Sequence, residues 1–285
     1  MDEQQRDATD FSETRSQAAS FVHSPRLLVS VRDAAEVSAA IAGGCDIIDV
    51  KDPSRGSLGM ADAATWQAVA DEMQRLESRL ERSIALGEIS DSLRIDSAVP
   101  IVDEPVRIPN GWTYAKLGIA GLGCRSDWPV IVGESRIRWS SYSPMNCGWI
   151  LVVYADCIPA GSPSISALHD ELPAMLECGQ WAGVLIDTFS KDGRTLLDCV
   201  DVTQLNSLAE IVRQACQLWC VAGSLRADCL PDVLQSQPDV IGIRTAGCRN
   251  QRREQSIDEH AVRAFKDAMK NPIRAGIAAS QMAQR

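Results

Sequence analysis

Lysine is scarce in this chain, and three of its lysines lie where short apolar segments end. The 285 residues include 28 lysines and arginines, of which only five are lysines, at positions 51, 116, 191, 266 and 270. A lysine amine whose pKa is lowered by burial and by nearby cations can attack a carbonyl carbon, whereas an arginine guanidinium stays protonated in proteins. The presence of Lys51, Lys116 and Lys191 in an arginine-rich chain therefore indicates chemistry carried out by amines. A solvated loop charge is the alternative for each of them taken alone.

Two of these lysines have an aspartate at close spacing. Asp49 precedes Lys51 by two positions, so that both side chains face the same side of a strand, and Asp187 precedes Lys191 by four. A carboxylate beside an amine can hold the ammonium ion and later carry a proton, which a Schiff-base enzyme needs when a carbinolamine loses water. A salt bridge without a catalytic role is the alternative for either pair. Lys116 lies within a predicted strand, where packing alone does not explain a lysine directed into a barrel.

The elements that position these residues alternate along the chain. Short β-rich apolar runs are separated by longer helical patterns, which is typical of repeated βα units and a parallel sheet. Eight such strands followed by helices predict an α/β fold with one closed (β/α)8 TIM barrel, whose active site lies at the C-terminal ends of its strands. The second, fourth and sixth strands then bring the three lysines to this end. The predicted strands are 26–31, 46–50, 83–86, 114–117, 149–154, 183–186, 218–222 and 240–243.

One catalytic barrel domain is predicted over residues 25–272, between two polar ends. Residues 1–24 are polar and charged with little apolar periodicity, and residues 273–285 are similar, so that both predict flexible tails. Three prolines in segment 88–113 predict that no regular third helix forms there. The predicted helices are 34–42, 61–80, 129–140, 164–178, 202–217, 226–235 and 257–269.

The loops after several predicted strands carry residues suited to phosphate. Small residues and one arginine follow the seventh and eighth strands, where barrels often bind phosphate through backbone N–H groups. The loop 54–59, after the second strand, is either a cap for a second phosphate or a simple turn. The candidates for phosphate binding are Gly223, Ser224, Arg244, Thr245, Gly247 and Ser57.

The composition of the chain limits its expected binding partners and its expected cellular location. A formal net charge of −10 argues against nucleic acid or an anionic membrane surface as the main partner, because both need a basic face. A small phosphorylated substrate remains compatible with a local basic pocket, and a homo-oligomer is compatible with the sequence. No signal peptide and no membrane-spanning run is recognised, so that a cytoplasmic protein is expected. The ten cysteines contain no CxxC pair and predict mostly buried, reduced thiols.

Metal and cofactor chemistry are not predicted. The three histidines, His23, His169 and His260, fall in the N-terminal tail and on predicted helices, away from the barrel mouth. Histidine, cysteine, aspartate and glutamate do not cluster at the spacing of metal ligands. No GxGxxG or P-loop pattern follows a strand. Catalysis without a metal or a bound cofactor is therefore expected.

The segment 43–59, GGCDIIDVKDPSRGSLG, closely resembles the signature of the (5-formylfuran-3-yl)methyl phosphate synthase family. Shorter blocks similar to those of the family follow in the same order, and the resemblance covers roughly residues 26–270. The chain departs from the family pattern at Glu88, where the family has aspartate, and in loop 248–253, which is richer in glycine in the family. The shorter blocks are 114–118, 187–193, 221–224 and 241–244.

This resemblance implies a TIM-barrel lyase of methanofuran biosynthesis. The family condenses two molecules of glyceraldehyde 3-phosphate into (5-formylfuran-3-yl)methyl phosphate, with loss of one phosphate and of water, through a lysine Schiff base. By position, Lys51 becomes the Schiff-base lysine and Lys116 the proton acceptor. Asp49, Asp187 and Lys191 line the same site.

Two other interpretations compete with this one. A phosphate-binding barrel decarboxylase or isomerase also uses an Asp-x-Lys pair at a strand end, with lysine as a proton donor and without a covalent bond. A barrel without activity, kept as a binding partner, is the alternative from a different class. The placement of lysines at the barrel mouth fits that second alternative poorly.

Overall fold

A closed sheet of parallel strands forms the centre of the protein. The computed structural model describes residues 24–93, 106–178 and 181–271. In these residues eight parallel strands pair in chain order, and the last pairs with the first, so that the sheet closes. The predicted (β/α)8 TIM barrel is confirmed. The strands are β1 (Arg26–Val31), β2 (Ile47–Val50), β3 (Glu81–Glu88), β4 (Tyr114–Gly118), β5 (Gly148–Tyr154), β6 (Gly183–Asp187), β7 (Leu218–Val221) and β8 (Val240–Ile243).

Helices cover the outside of this barrel, and four of the eight α-helices in the described residues begin at a capping side chain. The side chains of Asp62, Ser164, Asp201 and Asp258 each accept a hydrogen bond from the backbone N–H three residues on. Aspartate and serine favour this position because they satisfy N–H groups that have no partner within the helix. The α-helices of the described residues are α1 (Val37–Ala42), α2 (Ala63–Arg75), α3 (Trp128–Ser140), α4 (Cys157–Ala160), α5 (Ile165–Glu177), α6 (Val202–Gln214), α7 (Leu230–Val233) and α8 (Glu259–Lys270).

Several helices end earlier than the sequence pattern predicts. The helix predicted over 61–80 ends at Arg75, and the helix predicted over 202–217 ends at Gln214. Soon after these ends, Glu77 has a φ of 52° and Cys216 a φ of 56°. Residues in this conformation cannot continue a right-handed helix. The predicted helix 226–235 is a single turn between two 3-10 turns. Pro231 has no N–H to bond the carbonyl four residues earlier, which favours the start of a new helical turn here over a continuous helix.

The connection after β3 lacks a regular helix in the part that is described. A 3-10 turn over Ile89–Ser92 follows the strand, and residues 106–113 are irregular, in agreement with the prediction for segment 88–113. The intervening residues 94–105 lie outside the described ranges. The tails predicted at 1–24 and 273–285 also lie outside them, apart from Ser24.

The side chains of β2 alternate between the two sides of the sheet, as predicted. Ile48 and Val50 belong to the large apolar cluster between sheet and helices, whereas Ile47 belongs to a smaller cluster inside the barrel. Asp49 and Lys51 line the barrel cavity on the same inner face. The predicted alternation is therefore confirmed, and it brings two charged side chains into the upper part of the barrel.

Half of the cysteines are less buried than the sequence predicts. All ten are free thiols, of which five are buried, two are half-buried and three are exposed. No helix in the described ranges is both long enough and apolar enough to cross a lipid bilayer.

Candidate active site

A narrow cavity at the C-terminal end of the barrel brings the predicted catalytic residues together. Asp49, Lys51, Lys116, Asp187 and Lys191 all line it. The cavity is narrow, with a volume of about 50 Å³. Residues from β2, β4 and β6 therefore meet in one small space at this end of the barrel.

Asp49 and Lys116 form a buried ion pair across the inside of the barrel. The Nζ of Lys116 lies 2.5 Å from the Oδ1 of Asp49, and the two side chains are 3% and 0% exposed. Ser30 on β1 donates to the other carboxylate oxygen at 2.8 Å. Burial opposes ionisation of Asp49, but Lys116 and Lys51 outweigh it and lower the pKa of this carboxyl. Asp49 is therefore held as a carboxylate.

This pairing differs from the one that close spacing suggests. Asp49 and Lys51 share a face of β2, but side chains two positions apart along a strand are separated by about 6.5 Å. The curvature of the barrel instead brings Lys116 of β4 to Asp49. Strand spacing correctly placed the two residues on one face but did not identify the partner of the carboxylate.

Asp187 and Lys191 form a second pair at the end of β6. The Nζ of Lys191 lies 3.0 Å from the Oδ1 of Asp187, and the N–H of Thr188 donates to the same oxygen at 2.7 Å. Burial opposes ionisation of Asp187, but Lys191 and Lys51 outweigh it and lower its pKa to about 2. This carboxylate is also ionised and already has an ammonium partner.

Lys51 is left without a carboxylate of its own. It is 7% exposed, and its Nζ donates to the backbone oxygen of Ser57 at 3.2 Å. No ion pair to Lys51 is found in residues 24–93, 106–178 and 181–271. Burial lowers the pKa of Lys51 to about 7, and the positive charges of Arg253 and Lys116 act in the same direction, while Asp187 opposes them. The amine of Lys51 therefore loses its proton near neutral pH.

Four of the six predicted phosphate residues line the same cavity, in the loops after β7 and β8. Gly223, Ser224 and Thr245 are three of them, and Arg244 is the fourth. Gly223 has a φ of 108° and Ser224 a φ of 49°, both in the left-handed region. A side chain at Gly223 would also come within 3.1 Å of Leu196. The turn therefore needs glycine at this position, and it leaves backbone close to the cavity.

Arg244 and the two remaining predicted phosphate residues have different surroundings. The Oγ of Ser57 donates to the backbone oxygen of Thr188 at 2.9 Å, which ties the β2 loop to the β6 loop. Arg244 lines the cavity, but its guanidinium forms a buried ion pair with Glu36 at 2.9 Å and donates to a backbone oxygen of β1. Gly247 lies outside the cavity, packed against Val262. Phosphate binding by these residues stays a prediction.

Glu88 and Tyr154 form a polar contact beside the site that the sequence did not indicate. Tyr154, which is fully buried, donates to one oxygen of Glu88, and the N–H of Ala120 donates to the other at 3.0 Å. Burial raises the pKa of Glu88 to about 7, against the effect of these hydrogen bonds. An irregularity in the pairing of β3 with β4, between Ala85 and Glu88, turns the side chain over Gly118. A β-bulge of this kind has no clear sequence signal.

Arg253 is a further residue of the site that the sequence did not indicate. It lies in the loop after β8, lines the cavity and donates to the backbone oxygen of Gly56 at 3.3 Å. One arginine among 23 in an irregular loop gives no signal of its own. Within the described ranges, histidine, cysteine, aspartate and glutamate form no group of three or more that could hold a metal ion.

The fold and the site define a TIM barrel with a lysine-rich site at its C-terminal face. Residues 27–266 match the model of a family described as 4-HFC-P synthase. The chain belongs to this family, and the protein is therefore an enzyme.

Relatives and solved structures agree with this assignment. The chain is 29% identical over 248 residues to (5-formylfuran-3-yl)methyl phosphate synthase of Methanopyrus kandleri, covering 86% of this chain and 99% of that one. It is 29% identical over 240 residues to the synthase of the same name from Methanococcus maripaludis, covering 83% and 96%. The structure of (S)-3-O-geranylgeranylglyceryl phosphate synthase from Thermoplasma acidophilum is similar with a TM-score of 0.55 at 11% identity, covering 88% and 95%. That likeness concerns the fold alone.

Proposed function

We propose that the protein is a cytoplasmic lyase that condenses two molecules of glyceraldehyde 3-phosphate into (5-formylfuran-3-yl)methyl phosphate, in methanofuran biosynthesis. The family match and the names of the relatives support this reaction. The observation that carries the proposal is the state of Lys51. This buried amine has a pKa of about 7, while the neighbouring carboxylates are paired with other lysines.

The first chemical step uses this neutral amine. Lys51 attacks the aldehyde carbon of one substrate molecule and forms a carbinolamine, which needs a proton donor to lose water. We assign that donor to Lys191, whose positive charge Asp187 stabilises at 3.0 Å. The product of this step is an iminium ion, with a covalent bond between Lys51 and the substrate.

The second step uses the ion pair inside the barrel. The iminium ion acidifies the C–H bond on the neighbouring carbon. We assign removal of this proton to Lys116, after its ammonium ion, which is paired with Asp49 at rest, has passed its proton to a water molecule. The carboxylate of Asp49 stabilises the ammonium ion that results. The enamine then adds to the carbonyl carbon of the second molecule. Attack of a hydroxyl of that molecule on the iminium carbon closes the ring and expels the amine of Lys51, and elimination of phosphate and water completes the furan. Backbone N–H groups of Gly223, Ser224 and Thr245 hold the phosphate of the molecule on Lys51.

A product assay combined with borohydride reduction tests this function. With glyceraldehyde 3-phosphate as the sole substrate, we expect furan absorbance, released phosphate and a reduced mass adduct on the peptide that contains Lys51. A barrel that uses Lys51 as a non-covalent proton donor would turn over and leave this peptide unmodified, which would exclude the Schiff base. A barrel that acts as a binding partner would give neither product nor adduct.

The rate of adduct formation at Lys51 is expected to depend on pH with a midpoint near 7. The unprotonated amine is the nucleophile, so that the rate rises with pH through the pKa of about 7 and is constant above it. Below the midpoint it falls about tenfold for each pH unit. The measurement is borohydride trapping at constant substrate over a pH series, followed by mass spectrometry. The exposed Lys270 in the same digest is the control, and a Lys51 rate that still rises near pH 10, as for an ordinary lysine, would contradict the prediction.

A further inference from the structure

A second, more open cleft adjoins the active-site cavity. It has a volume of about 700 Å³ and lies between the loops that follow β2, β6, β7 and β8. Lys191, Ser224, Leu225, Thr245 and Arg253 line both spaces. A molecule in the cleft therefore lies next to one that is bound in the cavity at Lys51.

The lining of this cleft is strongly basic in a chain whose net charge is −10. Four cationic side chains line it, and Glu254 is the acidic residue among the described residues of the lining. Lys191 is paired with Asp187, and Arg226 is paired with Asp228 at the surface. The other two cations, Arg252 and Arg253, form no ion pair within the described part of the chain. An unneutralised pair of arginines beside a lysine site is suited to an anion.

Arg253 lies on the boundary between the two spaces. Its guanidinium donates to the backbone oxygen of Gly56 at 3.3 Å and is partly removed from solvent. Such a long bond to a neutral oxygen satisfies little of the hydrogen-bonding capacity of a guanidinium, which presents five N–H donors. A phosphate oxygen would replace it with a charge-assisted bond, which is stronger.

We propose that this cleft is the subsite for the second molecule of glyceraldehyde 3-phosphate, and that Arg253 binds its phosphate group. This assignment rests on the proposed function, because that reaction brings two phosphorylated aldehydes together. The cavity holds the molecule bound to Lys51, and the cleft positions the other with its phosphate toward the β8 loop. Loop 248–253, where this chain departs from the family pattern, thus contains the residue that binds the phosphate of the second substrate.

The experiment measures phosphate binding in the cleft while the cavity is occupied by a substrate adduct on Lys51. Protein that carries the borohydride-reduced adduct on Lys51 is titrated with inorganic phosphate by calorimetry. We expect the wild-type adduct to bind one phosphate, and Arg253→Gln to weaken this binding by about tenfold to a hundredfold, as for loss of a charge-assisted bond. Arg253→Lys keeps the charge without the planar fork and is expected to bind with intermediate affinity. Arg249→Gln, at an exposed position of the same loop, is the matched control and should bind as the wild type does.

The outcomes separate the subsite from the proposed function. Unchanged phosphate affinity in the Arg253→Gln adduct would overturn the subsite, while formation of that adduct would still support Schiff-base chemistry. If Lys51 forms no adduct in any variant, the proposed function fails, and the same titration of unmodified wild-type and Arg253→Gln protein then decides whether Arg253 binds phosphate. An equal loss in Arg249→Gln would attribute binding to general surface charge and would also overturn the proposal.

Discussion

Lys51→Arg is expected to lower turnover of glyceraldehyde 3-phosphate by a factor on the order of 10⁴ or more, as is usual when a covalent nucleophile is removed. The substitution keeps the positive charge but removes the amine, and a guanidinium cannot form a Schiff base. It also places a permanent charge in a position that is 7% exposed and where burial favours a neutral side chain. Product formation and borohydride trapping measure the loss.

A lysine outside the site provides the control for this substitution. Lys270→Arg changes an exposed residue near the end of α8 and should leave turnover and trapping unchanged. Thermal unfolding of each variant shows whether the barrel remains folded. Substantial turnover in folded Lys51→Arg protein would contradict the covalent role and favour the non-covalent use of the Asp-x-Lys pair.

Lys116→Met is expected to destabilise the protein by about 3–5 kcal/mol, because it leaves the carboxylate of Asp49 buried without its ammonium partner. Turnover should be lost as well, since the proposed proton acceptor is removed. Removal of this cation should also raise the pKa of Lys51, whose charged form Lys116 disfavours. The midpoint of adduct formation would then move to higher pH.

A double variant separates stability from activity at this pair. Asp49→Asn combined with Lys116→Met removes both charges and should recover most of the lost free energy of unfolding, without recovering turnover. Urea unfolding gives the free energies. Lys266→Met, which breaks a partly exposed pair with Asp46, is the control and should cost less than about 1 kcal/mol. Equal costs at the two sites, or an active double variant, would contradict the assigned role of the pair.

The fold could be predicted from the sequence because each pattern that indicates it is formed by residues close together in the chain. Short apolar runs and longer helical patterns follow from neighbouring residues, and eight such runs in alternation with helical segments leave few architectures other than a closed barrel. Helix ends were predicted less well, since Glu77 and Cys216 adopt left-handed backbone conformations that their residue types do not favour. The rim lysines were predicted because strand order determines which end of the barrel they reach.

The ion pairs and hydrogen bonds of the site could not be predicted, because the residues that form them are distant in the chain. Arg244 was predicted to bind phosphate, but its guanidinium is engaged by Glu36, which lies 208 positions away. Arg253 reaches the cavity from an irregular loop, where no periodicity gives its direction. The charge state of Lys51 likewise depends on which carboxylates other lysines already occupy. Which charged groups pair with one another depends on their distances in the folded barrel and not on their order in the chain.

The contact between Glu88 and Gly118 has a consequence for the substitutions that this barrel can accept. A methyl group at Gly118 would lie 2.1 Å from a carboxylate oxygen of Glu88, closer than atoms approach. Any larger residue at position 118 therefore displaces the carboxylate from the N–H of Ala120 and from Tyr154. Substitutions at positions 88 and 118 are therefore sterically coupled: a larger residue on β4 fits without moving the carboxylate only where the acid on β3 is shorter or absent.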